Sequence, residues 1–354
     1  MSGVKEIKIT HVEKTRLNDQ SLENAPFGHF FTDHMLVAEY KNGEWSSVEI
    51  MPYQPLQLAP SLAALHYGQS IFEGIKAFKD VAGNVAVFRP YDNLKRFNIS
   101  AQRMQMPEVP EEIFIGGMKK LIDLDRNWVP AIADHSLYIR PFMFATDAVL
   151  GVKPSETYKF VIILSPSGPY FSSPMRIYVE EKYTRAVTGG VGFTKNAGNY
   201  GASMQPAVKA RELGYDQVLW TDAFEHKYLQ EVGMMNVFFI LNNVAVTPSL
   251  EEGTILAGIT RNSAIQILKD MGVKVEERKI TVDEIIESYK ANQFTEAFGT
   301  GTAATISMIK ELRYKDFVMN FNTDESKVAP ELKQRLDDIR KSTAPDNYNW
   351  LVKI

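Results

Sequence analysis

The sequence contains no cysteine. That absence excludes disulfide bonds, thiolate metal sites and a cysteine nucleophile, and it is compatible with the cytoplasm. No apolar run approaches the ~20 residues that span a bilayer. The N-terminal residues 1–8 alternate charged and apolar side chains and have no apolar signal core. The sequence therefore predicts a cytoplasmic protein with no membrane partner.

The sequence also lacks a large excess of positive or negative charge. Lysine and arginine number 39 against 43 aspartates and glutamates, which gives a formal net charge of -4. Proteins that bind nucleic acid usually carry a basic excess, so no nucleic-acid partner is expected. The 354 residues are enough for about two domains. A hydrophobic fraction of 45% and a charged fraction of 23% are typical of a globular protein.

The clearest break in the chain is residues 165–174, which hold three prolines and four serines. Such a composition favours a linker over a regular element. We therefore predict a smaller N-terminal α/β domain over residues 1–167, an interdomain loop over 168–182 and a larger C-terminal domain over 183–354. The aromatic pair Tyr170–Phe171 indicates that this loop packs on another part of the molecule.

Strand and helix patterns alternate in the first domain. A strand is predicted over residues 29–40, followed by a hairpin turn at 41–44. A helix is predicted from residue 89, and Arg96 lies off its apolar stripe, so the periodicity alone indicates a solvated arginine. Further on, a short strand at 136–141 places Tyr138 and Arg140 on the same face.

Three neighbouring polar residues in the first predicted strand, His29, Asp33 and His34, raise the question of a metal site. Neighbouring strand residues point to opposite faces, so Asp33 and His34 would diverge. No third ligand is evident nearby. We therefore expect no metal.

The segment around which the sequence is organised is Thr-Lys-Asn-Ala-Gly-Asn-Tyr-Gly, residues 194–201. Lys195 lies on a predicted strand-to-helix connection, after the glycine-rich residues 188–192. A lysine amine can form an imine with an aldehyde, and a rigid turn fixes where its tip points. By itself this pattern is also typical of a solvated lysine on a flexible loop.

Other parts of the second half add groups of related chemistry. Glu231 lies within a predicted strand, where pattern alone favours a solvent-facing carboxylate. Residues 253–262 hold two glycines before a predicted helix, a common phosphate site. Residues 299–304 match the dinucleotide fingerprint G-x-G-x-x-A, but the alternation that follows predicts a strand where that fingerprint requires a helix. We therefore reject dinucleotide binding.

Together these groups fit pyridoxal 5'-phosphate. Its aldehyde needs an amine such as Lys195, and its protonated ring nitrogen needs an acid partner such as Glu231. Its ring hydroxyl is held by a donor such as Tyr200, and its phosphate needs N–H groups and a cation. Lys195, once released from the cofactor, can also carry the proton.

A series of short motifs extends over most of the chain. They are Phe-Gly at 27–28, Phe-Thr-Asp-His-Met at 31–35, Phe-Glu-Gly at 72–74, Arg-Phe at 96–97, Tyr-Ile-Arg-Pro at 138–141, Gly-Pro-Tyr-Phe at 168–171, Lys-Asn-Ala-Gly-Asn-Tyr at 195–200, Glu-Val-Gly at 231–233, Leu-Ala-Gly-Ile-Thr-Arg at 256–261 and Gly-Thr-Gly-Thr-Ala at 299–303. In this order and spacing the sequence resembles the branched-chain amino-acid aminotransferases, which are fold-type-IV pyridoxal phosphate enzymes. It resembles their eukaryotic-type branch more than the common bacterial one.

The resemblance implies a fold class and a set of roles. The fold would be α/β (α+β), with two domains and the cofactor between them. Lys195 would be the catalytic lysine bound to the cofactor. The remaining cofactor contacts would be Arg96, Tyr200, Glu231, Ile259, Thr260 and Thr302. The substrate contacts would be Phe27, Tyr67, Phe72, Tyr138, Arg140, Leu150, Val152, Tyr170, Thr302 and Ala303.

The resemblance also implies a homodimer in which Tyr67, Leu150 and Val152 enter the partner's site. Two features depart from the family. Its redox cysteine pair falls on Ala304 and Ser307, and Met234 stands where close relatives carry threonine.

The implied reaction is reversible transfer of the amino group of L-leucine, L-isoleucine or L-valine to 2-oxoglutarate, giving the branched 2-oxo acid and L-glutamate. Two other members of the fold are alternatives, a D-amino-acid aminotransferase and an aminodeoxychorismate lyase. A non-catalytic binding protein would need only the pocket. The aromatic and aliphatic pocket argues against the first two, and Lys195 with Glu231 and Tyr200 argues against the third.

Overall fold

The computed structural model describes residues 7–23 and 25–354. Residues 1–6, on which part of the signal-peptide argument rests, lie outside the described residues. Contacts divide the chain into two compact units. The first comprises Met1–Tyr170, Thr194–Ala197 and Arg340–Ile354, and the second comprises Phe171–Phe193 and Gly198–Ile339.

Lys195 therefore packs with the first unit as part of Thr194–Ala197, although the segments on either side of these four residues pack with the second. The division into domains at 1–167, 168–182 and 183–354 stays a prediction about independent folding. Limited proteolysis within 168–182 would test it.

The first unit is built on one mixed sheet. Its strands are β1 (Lys8–Ile9), β2 (His34–Lys41), β3 (Glu44–Pro52), β4 (Ser70–Phe72), β5 (Ile75–Lys79), β6 (Val85–Phe88), β7 (Ser136–Ala145), β8 (Tyr158–Ser167) and the C-terminal strand β18 (Leu351–Lys353). The order is β1-β3-β2-β8-β7-β5-β6-β18, with β4 beside β7. All neighbours are antiparallel except β1 and β3.

The predicted turn between β2 and β3 is confirmed, but the strand before it is shorter than predicted. Asn42 and Gly43 both have positive φ, 56° and 83°, as the tight turn that matches strand twist requires. β2 begins at His34 and not at residue 29. The reason is a turn over residues 27–29, where Gly28 has φ 74°.

The predicted linker is wrong at its beginning. Residues 165–167 continue β8, and Pro166 pairs with Leu137 of β7. Proline is tolerated there because the pairing of β8 with β2 stops at Ile162, so one side of the strand needs no N–H donor at Pro166.

Helices cover this sheet and supply much of its core. Phe97 and Phe114 contact Phe160 of β8, each pair at 5.6 Å between ring centroids. All three side chains are completely buried. The helices are α1 (Asp19–Glu23), α2 (Ala63–Tyr67), α3 (Pro90–Arg103) and α4 (Gly117–Leu124), with a π-helical turn at Glu112–Gly116 and a 3-10 turn at Arg126–Trp128.

The second unit contains another mixed sheet. Its strands are β9 (Met175–Val179), β10 (Gln217–Thr221), β11 (Leu229–Val232), β12 (Met235–Leu241), β13 (Val244–Thr247), β14 (Lys274–Glu277), β15 (Phe294–Gly301), β16 (Thr305–Tyr314) and β17 (Phe317–Asn320). The order is β11-β10-β9-β16-β15-β12-β13-β14, with β17 beside β16 and an additional pairing of β11 with β12.

Two helices of the second unit have recognisable end signals. Gly272, at φ 75°, follows the end of α7. Thr281 caps α8 by accepting from the Glu284 N–H at 3.0 Å. The helices are α5 (Gly198–Gly201), α6 (Met204–Glu212), α7 (Ile259–Asp270), α8 (Val282–Lys290) and α9 (Val328–Arg340), with a 3-10 turn at Thr323–Glu325.

The rejection of a dinucleotide fingerprint at residues 299–304 is confirmed. β15 and β16 pair antiparallel through a tight turn, with Gly301 opposite Thr305. The segment is a hairpin, without the following helix that a dinucleotide site requires. Among the residues that the structure describes, no helix combines the length and apolarity needed to cross a membrane.

Candidate active site

The turn that carries Lys195 is fixed to the edge of β4 in the first unit. The Phe72 N–H donates to the Lys195 carbonyl, and the Ala197 N–H donates to the Ser70 carbonyl, each at 3.0 Å. Between them, Asn196 forms an isolated antiparallel bridge with Ile71. The expected strand-to-helix connection is therefore only half right, because the segment before Lys195 is irregular and α5 follows at Gly198.

Ser100 of α3 holds the same turn from another direction. The Lys195 N–H donates to Ser100 Oγ at 3.0 Å, and Ser100 Oγ donates to the Arg96 carbonyl at 3.2 Å. Ser100 is completely buried. The backbone of Lys195 is thus fixed, which leaves the side-chain torsions to position its amine. Ser100 could not be assigned from the sequence, where its only signal is a hydroxyl next to the apolar stripe of a helix.

The Lys195 amine lies against an aromatic wall. Its Nζ is 4.7 Å from the centre of the Phe72 ring, and the Arg140 guanidinium is 4.5 Å from the same centre. Tyr138 accepts a hydrogen bond from Arg140 Nη2 at 2.9 Å, which confirms that the two side chains share a face of β7. Lys195, Phe72, Tyr138 and Arg140 therefore form one cluster in the first unit.

Two more predicted substrate residues extend this wall. Phe27 packs edge-on against Tyr138 at 4.7 Å and against Tyr170 at 5.2 Å between ring centroids. Burial raises the pKa of Tyr170 above its ordinary value, and the neighbouring Tyr138 adds to this effect. Tyr170 is thus a neutral phenol at physiological pH.

A buried donor of Arg140 has no partner inside the described part of the chain. Its Nε is inaccessible to solvent and makes no hydrogen bond there. Arg140 as a whole is half-buried, and an unmet buried donor on a charged group is costly, so the guanidinium suits an anionic ligand.

Arg96 is buried, so the solvated arginine indicated by its position off the stripe is wrong. Its Nε and Nη2 donate to the two carboxylate oxygens of Glu73, both at 2.7 Å. Glu73 is completely buried and Arg96 is 7% exposed. Two of the three guanidinium nitrogens are therefore engaged by Glu73.

The residues expected to reach a partner subunit lie together on an exposed surface of the first unit. Leu150 and Val152 are 65% and 85% exposed, and Tyr67 is 42% exposed. The Tyr67 hydroxyl donates to the Leu150 carbonyl at 2.5 Å. We call Tyr67, Leu150 and Val152 the apolar loop patch.

In the second unit, Glu231 is buried and not solvent-facing. It is 4% exposed, and the Leu256 N–H donates to its Oε1 at 2.8 Å. The Asn236 side chain donates to the same oxygen at 3.3 Å and to the Leu256 carbonyl at 2.9 Å. The carboxylate is therefore held in one orientation by the loop before α7.

Arg185 supplies the charge that makes this burial possible. Its Nε lies 3.0 Å from Glu231 Oε2, with both side chains buried. Its Nη2 donates to the Thr254 carbonyl and, at 3.3 Å, to the Gly192 carbonyl. Arg185 could not be assigned from the sequence because nothing in its local pattern distinguishes it from a surface arginine.

The remaining cofactor candidates lie at three chain turns of the second unit. Ile259 and Thr260 are buried and begin α7, where the first N–H groups lack intrahelical acceptors. Gly258 is needed before them because a Cβ there would collide with the side-chain oxygen of Asn236. Tyr200 is half-buried in α5, and Thr302 and Ala303 are half-buried in the β15–β16 turn.

The histidine and aspartate at the start of β2 have structural partners. His34 Nδ1 lies 2.6 Å from Asp125 Oδ1. Asp33 accepts from Thr15 at 2.5 Å and from the Trp128 indole at 2.9 Å. Across residues 7–23 and 25–354, no three His, Asp or Glu side chains are grouped to hold a metal ion.

Comparisons with known proteins identify the family. Residues 70–312 match the family model described as amino-transferase class IV. A probable branched-chain-amino-acid aminotransferase of Staphylococcus epidermidis is 48% identical over 337 residues, covering 94% of each chain. The branched-chain-amino-acid transaminase 1 of Bacillus subtilis is 46% identical over 334 residues, covering 93% of this chain and 94% of that one.

The chain belongs to the class IV branched-chain aminotransferase family.

Solved structures of related aminotransferases have the same fold as this aminotransferase. The branched-chain aminotransferase of Thermoproteus uzoniensis, crystallised with norvaline, superposes with a TM-score of 0.75 at 25% identity and covers 90% of this chain and 99% of that one. A branched-chain amino acid aminotransferase from T.th., crystallised with pyridoxamine 5'-phosphate, gives 0.73 at 26% identity and covers 89% and 97%. The predicted α/β (α+β) fold-type-IV class is confirmed, whereas the eukaryotic-type assignment stays a prediction.

Proposed function

We propose that this aminotransferase reversibly transfers the amino group of L-leucine, L-isoleucine or L-valine to 2-oxoglutarate. The observation that carries the proposal is the cluster of Lys195, Phe72, Tyr138 and Arg140. It combines a reactive amine, an apolar wall for a branched side chain and one cation for a second carboxylate. The names of the relatives that align over nearly the whole chain support the same substrates.

The proposed cofactor is pyridoxal 5'-phosphate, and the residues present fit it. The buried Glu231 carboxylate suits a protonated ring nitrogen, and Tyr200 suits the ring hydroxyl. The Ile259 and Thr260 N–H groups, Thr302 and Arg96 suit the phosphate. The relative from T.th. was crystallised with the pyridoxamine form of this group. When bound, the ring withdraws electrons from the substrate Cα.

Each proposed catalytic role belongs to one side chain. Lys195 binds the cofactor aldehyde and then moves the proton at the substrate Cα. Glu231 would hold the protonated ring nitrogen, and Arg185 pairs with the Glu231 carboxylate. Tyr200 orients the ring hydroxyl.

The two substrates share one pocket in this proposal. Phe27, Phe72, Tyr138 and Tyr170 enclose the aliphatic side chain. Arg140 binds the distal carboxylate of glutamate or 2-oxoglutarate through the side that has no partner in the described chain. The substrate α-carboxylate is held by Thr302 and the Ala303 N–H.

We further propose a homodimer in which the apolar loop patch reaches the partner's pocket. The exposure of Leu150 and Val152 supports this, since an isolated chain gains nothing from presenting them to water. The proposed location is the cytoplasm, which cell fractionation would test.

The reaction is tested by product analysis. Purified protein with pyridoxal 5'-phosphate should convert L-leucine and 2-oxoglutarate into L-glutamate and 4-methyl-2-oxopentanoate in equal amounts. D-alanine in place of L-leucine should give no glutamate, and aminodeoxychorismate should not be cleaved. Turnover of D-alanine or aminodeoxychorismate faster than that of L-leucine would replace this proposal by one of the two alternatives within the fold.

A further inference from the structure

A closed network of hydrogen bonds holds the backbone of Lys195 in the first unit. The Lys195 N–H donates to Ser100 Oγ at 3.0 Å, and Ser100 Oγ donates to the Arg96 carbonyl at 3.2 Å. The Arg96 guanidinium donates twice to Glu73, both times at 2.7 Å. Phe72, which precedes Glu73, closes the network, because its N–H donates to the Lys195 carbonyl at 3.0 Å. We call these five residues the Lys195 network.

Lys195 itself lies in no regular element. The backbone is irregular from residue 188 to residue 195, and α5 begins only at Gly198. No helix or sheet ladder therefore fixes the lysine, apart from the single bridge at Asn196. Its position depends on contacts from neighbouring elements. Its N–H and its carbonyl are both used for such contacts, the first with α3 and the second with β4.

The hydroxyl of Ser100 is matched to the Lys195 N–H. A serine hydroxyl has one O–H to donate, and the Arg96 carbonyl one turn earlier in α3 receives it. The oxygen can then only accept, which suits a backbone N–H. Ser100 is completely buried, so water does not compete for either bond. Serine is less favourable than alanine in a helix interior, so helix formation does not account for this residue.

The part of α3 that carries Ser100 is itself held firmly. Glu73 is completely buried and Arg96 is 7% exposed, so water does not weaken their two charged hydrogen bonds. Glu73 directly follows Phe72, whose N–H binds the Lys195 carbonyl. The Arg96–Glu73 pair therefore ties α3 to the same segment that holds the other side of Lys195. Between them, α3 and β4 fix the lysine backbone.

We propose that Ser100 is a positioning residue for the Lys195 amine. Its hydroxyl fixes the backbone of Lys195 relative to α3, so the amine acts at one position when it binds the cofactor aldehyde and when it moves the proton. A displacement of about 1 Å in a reacting group can lower a rate about 100-fold, so the loss of one backbone contact has a measurable effect. This inference rests on the proposed function, because it takes Lys195 as the reactive amine.

Two serine-to-alanine variants separate this contact from the general effect of a lost hydroxyl. Ser100→Ala removes the acceptor of the Lys195 N–H. Ser21→Ala is the matched control in the first unit, outside the Lys195 network. Ser21 is 1% exposed, accepts from the Asn18 N–H at 3.2 Å and donates to the Asn18 carbonyl at 2.6 Å, so its hydroxyl makes the same two kinds of bond. Alanine suits a helix at least as well as serine, so both variants should fold.

Hydrogen exchange tests the contact without any need for cofactor or turnover. In Ser100→Ala, amide exchange within residues 194–197 should be at least about fivefold faster than in the wild type, because an N–H without its acceptor opens more readily. Ser21→Ala should exchange like the wild type in the same residues. Equal exchange in Ser100→Ala and the wild type would overturn the proposal, since Lys195 would then be held without the hydroxyl.

Stopped-flow half-reactions of the holoenzyme with L-leucine test the positioning itself. Ser100→Ala should have a maximal rate about 10- to 100-fold lower than the wild type. The L-leucine concentration at half-saturation should stay within about twofold, because substrate contacts are unchanged. A residue that only stabilises the fold would lower the melting temperature and leave the maximal rate of the folded enzyme unchanged.

An unchanged maximal rate in Ser100→Ala, or a similar loss in Ser21→Ala, would therefore overturn the proposal. A wild type that does not turn over L-leucine would refute the proposed function instead. The exchange result would then still decide whether Ser100 holds the backbone of Lys195.

Discussion

Buried charges are the residues on which this molecule depends most. Arg96 with Glu73, and Arg185 with Glu231, are two arginine–carboxylate pairs out of contact with water. Removing two charges from water costs free energy, which their mutual attraction must offset. Loss of either partner would leave the other charge buried and uncompensated, so each depends on the other. Arg140 is different, because one of its donors has no partner in the described chain.

Replacing Glu73 by Gln should destabilise the first unit strongly. The buried Arg96 charge would lose its compensation, which costs about 3–5 kcal/mol in comparable pairs. Urea unfolding measures the effect. Glu156→Gln, which breaks the exposed pair with Lys153, should leave the free energy of unfolding nearly unchanged. Equal effects of the two substitutions would show that Glu73 and Arg96 do not depend on each other.

Replacing Arg140 by Met should separate the two substrates. A lost charged hydrogen bond of roughly 1.5–3 kcal/mol corresponds to about 10- to 150-fold weaker use of 2-oxoglutarate and glutamate. Half-reactions with L-leucine should change much less, because Met preserves the apolar contact with Phe72. Stopped-flow half-reactions measure both, with Arg103→Met on the exposed side of α3 as control. Similar losses for leucine and glutamate would exclude Arg140 as the distal carboxylate site.

At the scale of single elements, tight polar turns hold the strands in register. The turn between β10 and β11 is organised by Asp222, whose two carboxylate oxygens accept four backbone N–H groups, from Phe224, Glu225, Lys227 and Tyr228. β11 carries Glu231, so this turn helps to position the candidate active site.

Asp222→Asn should destabilise the protein in a pH-dependent way. Partial burial by itself would raise the pKa of Asp222, but the four N–H donors outweigh it and lower the pKa below the ordinary 3.8. A lowered folded-state pKa means that the stabilisation is complete above 3.8 and is lost as the pH falls through the lower folded value. The difference in melting temperature between wild type and variant should therefore be largest near neutral pH and shrink in acid. A difference that stays constant down to pH ~2 would contradict the assigned cause.

At the scale of the whole molecule, local sequence was enough for some features and not for others. The hairpin turns at Asn42–Gly43 and at Gly301–Thr305 could be predicted because glycine and alternation act over a few residues. Arg96, Ser100 and Arg185 could not be assigned. Their partners Glu73, Lys195 and Glu231 lie 23, 95 and 46 positions away, as the numbering shows, and no periodicity reports such contacts. Lys195 and Glu231 were found because their chemistry, combined with family motifs, is distinctive.

The proposed dimer predicts complementation between two inactive variants. Lys195→Ala removes the amine, and changing Leu150 and Val152 together to Asp spoils the apolar loop patch that would serve the partner. In a mixed dimer one site carries both lesions and the other none. Random reassociation of equal amounts makes about half of the dimers mixed, so activity should recover to about a quarter of the wild type. Light scattering and tagged pull-down verify folding and exchange. No recovery in verified mixed dimers would mean that each site is built from one chain.

The most direct test of the central claim, that Lys195 is the catalytic amine of a pyridoxal phosphate transaminase, is the absorption spectrum of the purified protein before and after L-leucine. The wild type and the control Lys120→Ala, an exposed lysine of α4, should show a visible cofactor band that L-leucine converts to the shorter-wavelength band of the aminated cofactor. Lys195→Ala should lack the lysine-linked band and show no catalytic turnover, even where cofactor is retained through phosphate contacts. A colourless wild type, or substantial turnover of L-leucine by Lys195→Ala, would contradict the account.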